Sequence, residues 1–417
     1  MPVCRKRQSA AMSVSDGNSC MPPEADEPDD PLVYSPWHGL ARMPLVTCID
    51  GLRVGTDFSG VDTPIWALKV LDVDYEHIFS CDKYNAAGKI ASHLGVKHKY
   101  SDIETRPDPP DVDLYVFGPP CQAFSKSGKQ LGASDPVNGK LSLWSLMYIT
   151  KHTPPLILME QVPAILQPKH KELWDLILKT LKDTGYHLTY QVCQSTQFGV
   201  PQRRERLYLA GALRAPVVFE LPPRRITDLS MIVTPLPPGS FCTVPPLKDA
   251  TLGRTKIIEK HLAKHIANGT NVFITPIVIS TGHSAAFAHS SCNVAMTVTK
   301  TEVARRGYWC TTKGGFLDAD EIALLQGFPV GLIPWRALGL SETQYCGMMG
   351  NSMTLPVVVS LLPALLLAGG KVDAAMACEL HARARNFRPV ACLGVLLPNG
   401  RSHFFTLAPW YPYRPTY

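Results

Sequence analysis

The sequence lacks any Cys-x-x-Cys pair, and its twelve cysteines are scattered without short zinc-ligand spacing. Neither a structural zinc site nor a disulfide framework is suggested, and a reducing, intracellular setting is the expectation. No uninterrupted apolar run reaches the roughly 20 residues that a spanning helix needs. The longest, 355–368, is interrupted by Pro356, Ser360 and Pro363 and reads as core, so no membrane partner is expected. Arg5, Lys6 and Arg7 are followed by no apolar segment, which argues against secretion. Charge is also scarce: a net +6 over 417 residues, with pI near 8.6, is compatible with a polyanion but too small to argue for one.

What is present is a chain that is 45% apolar and long enough for two lobes. Residues 1–45 are rich in Ser, Pro, Asp and Glu, lack hydrophobic periodicity, and are expected to form a disordered tail. Beyond them, short apolar runs alternate with helical stretches, the pattern of βαβ units on a doubly wound, mostly parallel sheet. Strands are expected at 53–57, 77–81, 114–117, 156–159, 187–194 and 206–210, with an amphipathic helix over 172–184. In such sheets ligands bind at the carboxyl ends of the strands. Between 213 and about 295 the rhythm gives way to Pro-rich punctuation, which marks a separate, smaller lobe. Helical patterning returns over 318–326 and 355–368, and 370–417 is left as an extension of unassigned role.

The turns after the strands carry the candidate chemistry. Thr56-Asp57-Phe58-Ser59-Gly60-Val61-Asp62 follows the first strand, and Gly60 would let the backbone approach a ligand closely, or simply make a tight turn. Asp82 ends the second strand, where a carboxylate can accept from both hydroxyls of a ribose. Asp102 would suit an adenine amino group, although a lone Asp after a strand is more often a helix cap. More specific is Gly118-Pro119-Pro120-Cys121-Gln122, which places a cysteine after a strand, on a loop stiffened by two prolines and near a helix start that would favour thiolate.

That last segment resembles the signature of the cytosine-5 DNA methyltransferases, and the resemblance continues in order along the chain. Met159-Glu160-Gln161-Val162 is similar to the family's Glu-Asn-Val element, with Gln161 for Asn. Gln202-Arg203-Arg204-Glu205-Arg206 resembles Gln-x-Arg-x-Arg, and Met296-Thr297-Val298-Thr299 resembles a divergent ninth motif. Gln326-Gly327-Phe328-Pro329 and Gly350-Asn351-Ser352-Met353 match the closing elements. Two positions depart from the pattern: Asp62 stands where a second Gly is usual, and Thr56 where an acid is common. Cofactor affinity is the property these departures bear on.

The resemblance implies a Rossmann-like, class I S-adenosylmethionine-dependent fold, with a catalytic domain over 46–212 completed by 345–369 and a target-recognition lobe and hinge over 213–344. It implies a methyl group passed from S-adenosylmethionine to C5 of a cytosine flipped out of double-stranded DNA, without a metal. Cys121 would be the nucleophile, with Glu160, Arg204 and Arg206 as its catalytic partners. The cofactor would meet Phe58, Ser59, Gly60, Val61, Asp62, Asp82, Lys83, Asp102, Ile103, Pro119, Asn351 and Ser352. Ser125, Lys126 and Lys129 would belong to a mobile loop that closes on DNA phosphate, with Gln202 supporting it.

Two other readings share the fold. A non-catalytic, DNA-binding regulatory homologue is motivated by Asp62 and Gln161, against the retention of Cys121, Glu160, Arg204 and Arg206. A transfer-RNA cytosine-5 methyltransferase would carry a Cys-Phe-Thr tripeptide, which is absent; Phe241-Cys242-Thr243 does not match it. A monomer is expected, nuclear if the source is eukaryotic and otherwise cytoplasmic.

Overall fold

In Leu114-Tyr115-Val116-Phe117 successive side chains leave opposite faces of a strand, and all four are buried, so this strand must be covered on both sides. Leu114 and Val116 join one apolar cluster while Tyr115 and Phe117 join another, and Leu156 through Met159 divide the same way. A sheet between two helical layers follows. The computed structural model describes residues 45–120, 141–222, 228–233, 252–282 and 284–388, with the backbone of 395–396 and 402–403. Most of the expected tail, Cys121, Ser125, Lys126 and Lys129 lie outside the described residues.

The sheet contains β1 (Arg53–Asp57), β2 (Glu76–Cys81), β3 (His98–Tyr100), β4 (Leu114–Phe117), β5 (Leu156–Gln161), β6 (His187–Gln194) and β7 (Glu205–Ala212). Their spatial order is β3-β2-β1-β4-β5-β7-β6, with β7 antiparallel to both of its neighbours and every other pairing parallel. The order reverses between β1 and β4, and the crevice at that switch is where the fold places a ligand.

Helices α1 (Thr63–Val70), α2 (Asn85–His93), α3 (Leu141–His152) and α4 (Lys171–Asp183) connect these strands. The expected strands and the 172–184 helix are found within two residues of their ends; the three-residue edge strand β3, half-exposed and without apolar alternation, gave no sequence signal.

The second lobe is built on α5 (Leu252–Ala267) and a four-stranded antiparallel sheet of β8 (Ile277–Ser280), β9 (Ser290–Cys292), β10 (Tyr308–Cys310) and β11 (Gly315–Phe316). Ile257, Ile258, Ile277, Ile279 and Trp309 form a small core of their own. A short helix, α6 (Lys300–Ala304), leads from the hinge segment 293–299, where Ala295 bridges to Gln202, toward β10.

Residues after β11 return to the first lobe. α7 (Ala319–Leu325) is capped by Asp318 and Glu321 in a reciprocal box, and Ile322, Leu325 and Phe328 enter the main core. α8 (Glu342–Asn351) and α9 (Leu355–Ala368) follow. α9 is the 355–368 run read as core, and every residue in it but Leu367 is buried. α10 (Ala374–Asn386), in the extension left unassigned, packs on α9, and its Arg383 donates to the carbonyl of Leu71 at 2.7 Å.

Candidate active site

At the β1/β4 switch a cavity of about 390 Å³ opens at the carboxyl ends of the strands. Its floor is the β1–α1 turn, where Phe58, Gly60 and Asp62 all take left-handed backbone conformations with φ of 55°, 54° and 57°. A left-handed Phe costs about 1–2 kcal/mol, an expense found where a turn is shaped for a ligand. A Cβ added at Gly60 would meet no atom within 4 Å, so the backbone there faces open space.

Phe58, Ser59, Gly60, Asp82, Lys83, Asp102, Ile103, Pro119, Asn351 and Ser352 all line this cavity. Val61 and Asp62 do not. Val61 is in the main core, and Asp62 is fully buried, its carboxylate accepting from Thr56 Oγ1 at 2.6 Å and Ser80 Oγ at 3.0 Å. The contact expected of these two is one of backbone, and their side chains are packed under the turn.

Asp82 accepts from the N–H groups of Gly60 at 2.8 Å and Tyr84 at 2.7 Å. Burial raises its carboxyl pKa, opposed by those two hydrogen bonds and by the Lys300 charge. At Asp102 burial works upward, but the Glu104 N–H and the Lys83 ammonium, 3.1 Å away, hold the carboxyl below its ordinary value. Lys83 is thereby turned toward Asp102 and Glu104. Asp57, beneath the cavity, is held by both guanidinium nitrogens of Arg106, one at 2.7 Å, and by the Tyr115 hydroxyl.

The catalytic candidates share the cavity. Glu160, Arg204 and Arg206 line it, as does Pro120, the residue preceding Cys121. Glu160 Oε1 lies 3.0 Å from Arg206 Nε, an ion pair not aligned well enough for a hydrogen bond. Burial lifts the Glu160 carboxyl above the usual range, with Arg206 and then Arg204 pulling it back. Gln161, at the position of the family's Asn, donates to the Pro119 carbonyl at 3.1 Å and accepts from the Val162 N–H at 2.8 Å. It therefore anchors the loop base two residues before Cys121.

Arg204 has a framing position. Its guanidinium donates to the carbonyls of Val298 at 3.0 Å, Gly350 at 3.3 Å and Ser352 at 2.7 Å, joining the hinge segment to the closing motif. Gln202 is wholly buried, donating to the Leu325 carbonyl and accepting from the Val298 N–H at 2.7 Å. It pins the hinge segment to the end of α7, and the loop it is expected to support lies outside the described residues. Sequence reasoning missed Asp57, Tyr84, Lys300 and Gly347, which also line the cavity. Asp57 beside Phe58, Tyr84 beside Lys83 and Lys300 beside Thr299 had neighbours that could have flagged them.

The fold agrees with that of a solved Dnmt2 methyltransferase from S. pombe, at a TM-score of 0.51 and 18% identity over 76% of this chain and 98% of that one. Among curated proteins, the Type II methyltransferase M.MspI of a Moraxella species is 27% identical over 62% of this chain and 57% of its own length. The Type II methyltransferase M.Bsp6I of a Bacillus species is 31% identical over 39% of this chain and 49% of its own. The chain thus spans about half the length of these relatives. The model of the C-5 cytosine-specific DNA methylases matches residues 49–366. That span runs from just before β1 to the last turn of α9 and takes in every wall of the cavity, and the chain belongs to the C-5 cytosine-specific DNA methylase family.

Proposed function

We propose that this protein transfers a methyl group from S-adenosylmethionine to C5 of cytosine in double-stranded DNA through a covalent Cys121 adduct. The observation that carries the reading is the single cavity in which a ribose-binding type of carboxylate, Asp82, and the Glu160–Arg206 pair face one space beside the Pro119-Pro120 loop base. The donor set suits the cofactor. Among the described residues the buried Ser59 hydroxyl has no hydrogen-bond partner, open space fronts Gly60, and Asn351 and Ser352 supply polar groups opposite. When bound, S-adenosylmethionine supplies an electrophilic methyl.

The residues of the chain do the rest. The Cys121 thiolate adds to C6 of the ring, which moves electron density toward N3 and makes C5 nucleophilic. Glu160, its carboxyl lifted above the usual range by burial, hydrogen-bonds or passes a proton to N3, and Arg206 orients Glu160 and faces the base. Loss of the C5 proton then expels Cys121. A stacked cytosine cannot reach such a cavity, so the base is flipped out at a cost of a few kcal/mol.

The test uses duplex DNA containing 5-fluorocytosine, in which the C5 substituent cannot leave. Wild-type protein with S-adenosylmethionine should give a denaturation-resistant adduct, and Cys121→Ala should give none. An adduct on transfer RNA with none on duplex DNA would overturn the substrate.

A further inference from the structure

The cavity has four cationic side chains in its wall, and three are committed. Lys83 is paired with Asp102 and Glu104, Arg206 with Glu160, and Arg204 with backbone carbonyls of the hinge and closing motif. The fourth, Lys300, has no carboxylate within ion-pair distance among the described residues.

Its course is fixed by neighbours. A Cβ added to Gly350 would lie 2.5 Å from the Lys300 nitrogen and 2.7 Å from the Thr299 carbonyl carbon, so the hinge backbone approaches α8 as closely as only glycine permits. The Lys300 Cγ passes over Gly347, and its ammonium stands 5.0 Å from the centre of the Tyr84 ring. The side chain therefore starts beside the Asn351–Ser352 wall and ends over the β2–α2 turn, crossing one side of the cavity.

The cavity is otherwise rich in acid, with Asp57, Asp82, Asp102 and Glu160 all in its wall. Asp57, Asp102 and Glu160 are each paired with a cation, so Lys300 is the one cationic side chain of the wall, among the described residues, left to meet the carboxylate at the amino-acid end of S-adenosylmethionine. We propose that Lys300, delivered by the hinge of the second lobe, is the cation that binds this carboxylate and closes the cofactor cavity from that side. The proposal rests on the methyltransferase reading and adds a residue to it. It also makes cofactor binding depend on the second lobe's hinge, because Lys300 opens α6 at that junction.

The test is calorimetric binding to the full chain of two ligands, S-adenosylhomocysteine, which has the carboxylate, and 5′-methylthioadenosine, which lacks the whole amino-acid end. Lys300→Met should weaken the first by about tenfold, as expected for a charge-assisted contact in a partly exposed site. It should leave the second unchanged, which also shows that the cavity is intact. Lys300→Arg should restore most of the loss. Equal weakening of both ligands would assign Lys300 to Asp82 and the ribose and overturn the proposal, as would no weakening of either. Wild-type protein that binds neither ligand would instead remove the methyltransferase reading on which the proposal stands.

Discussion

Thr56 Oγ1 donates to Asp62 Oδ1 at 2.6 Å, so the two positions at which this chain departs from its family's first motif are hydrogen-bonded to each other. An acid is common at the first position and Gly at the second; here a hydroxyl and a carboxylate occupy them. The carboxylate is pulled under the turn, away from the cavity, and Asp is among the few residues besides Gly that accept the left-handed backbone found there. The departures compensate one another and leave the cavity floor open.

Burial pushes the Asp62 carboxyl up to about 7, against the hydrogen bonds from Thr56 and Ser80. The folded protein therefore binds this proton more tightly than the unfolded chain does. The stabilisation is complete below about pH 4 and is lost as pH rises toward about 7. Asp62→Asn keeps the backbone geometry and removes the titration. The difference in melting temperature between variant and wild type should change across that window and level off above it. Parallel curves throughout would exclude Asp62 as the titrating group.

Glu160→Gln preserves shape but removes the carboxyl proton proposed for N3. Methyl transfer should fall by about 10²- to 10⁴-fold in kcat, while affinity for S-adenosylhomocysteine stays within about threefold. An equal loss of cofactor affinity would make Glu160 part of the cofactor wall rather than the base pocket.

The Asp57–Arg106 pair is buried beneath the cavity and stabilised further by the Phe79, Tyr100 and Tyr148 rings around the guanidinium. Arg106→Met alone should destabilise the protein by about 3–5 kcal/mol because it strands a buried carboxylate, whereas Asp57→Leu with Arg106→Met should recover much of that loss. Urea unfolding of the single and double variants measures both. A double variant no better than the single one would mean that the pair's geometry, not its charge, is what the fold needs.

Gly350→Ala would drive a methyl group into the Thr299–Lys300 backbone. It should lower the melting temperature and weaken S-adenosylhomocysteine binding together, since the same contact holds the Asn351–Ser352 wall. Unchanged binding in a destabilised variant would separate the hinge contact from the cofactor site.

The central strands were legible because they are buried on both faces: the runs at Leu114–Phe117 and Leu156–Met159 are apolar without alternation, which in a chain with βαβ rhythm marks a parallel sheet. The cavity residues that lie in contiguous motifs were legible for a different reason, as short segments whose order matched a family. Residues whose importance arises from tertiary approach were not. Nothing near Lys300 or Arg106 signals that one would meet Tyr84 and the other Asp57, far away in sequence. The small antiparallel sheet escaped as well, its strands being two to four residues long. Asp62 was legible as a departure but not in its direction, because a one-residue change of turn geometry decides whether a side chain faces the ligand or the core.

The cavity's walls are drawn from both ends of the matched span: Phe58 and Asp82 emerge from the first strands, Asn351 and Ser352 from the end of α8. During synthesis the early strands must wait for some 270 further residues before the opposite wall exists, a separation that makes the last contacts slow to form. Cofactor thus meets only part of its cavity until the polypeptide has nearly finished folding. Its grip would then act as a latch on the completed protein, slowing unfolding without guiding the first steps of assembly.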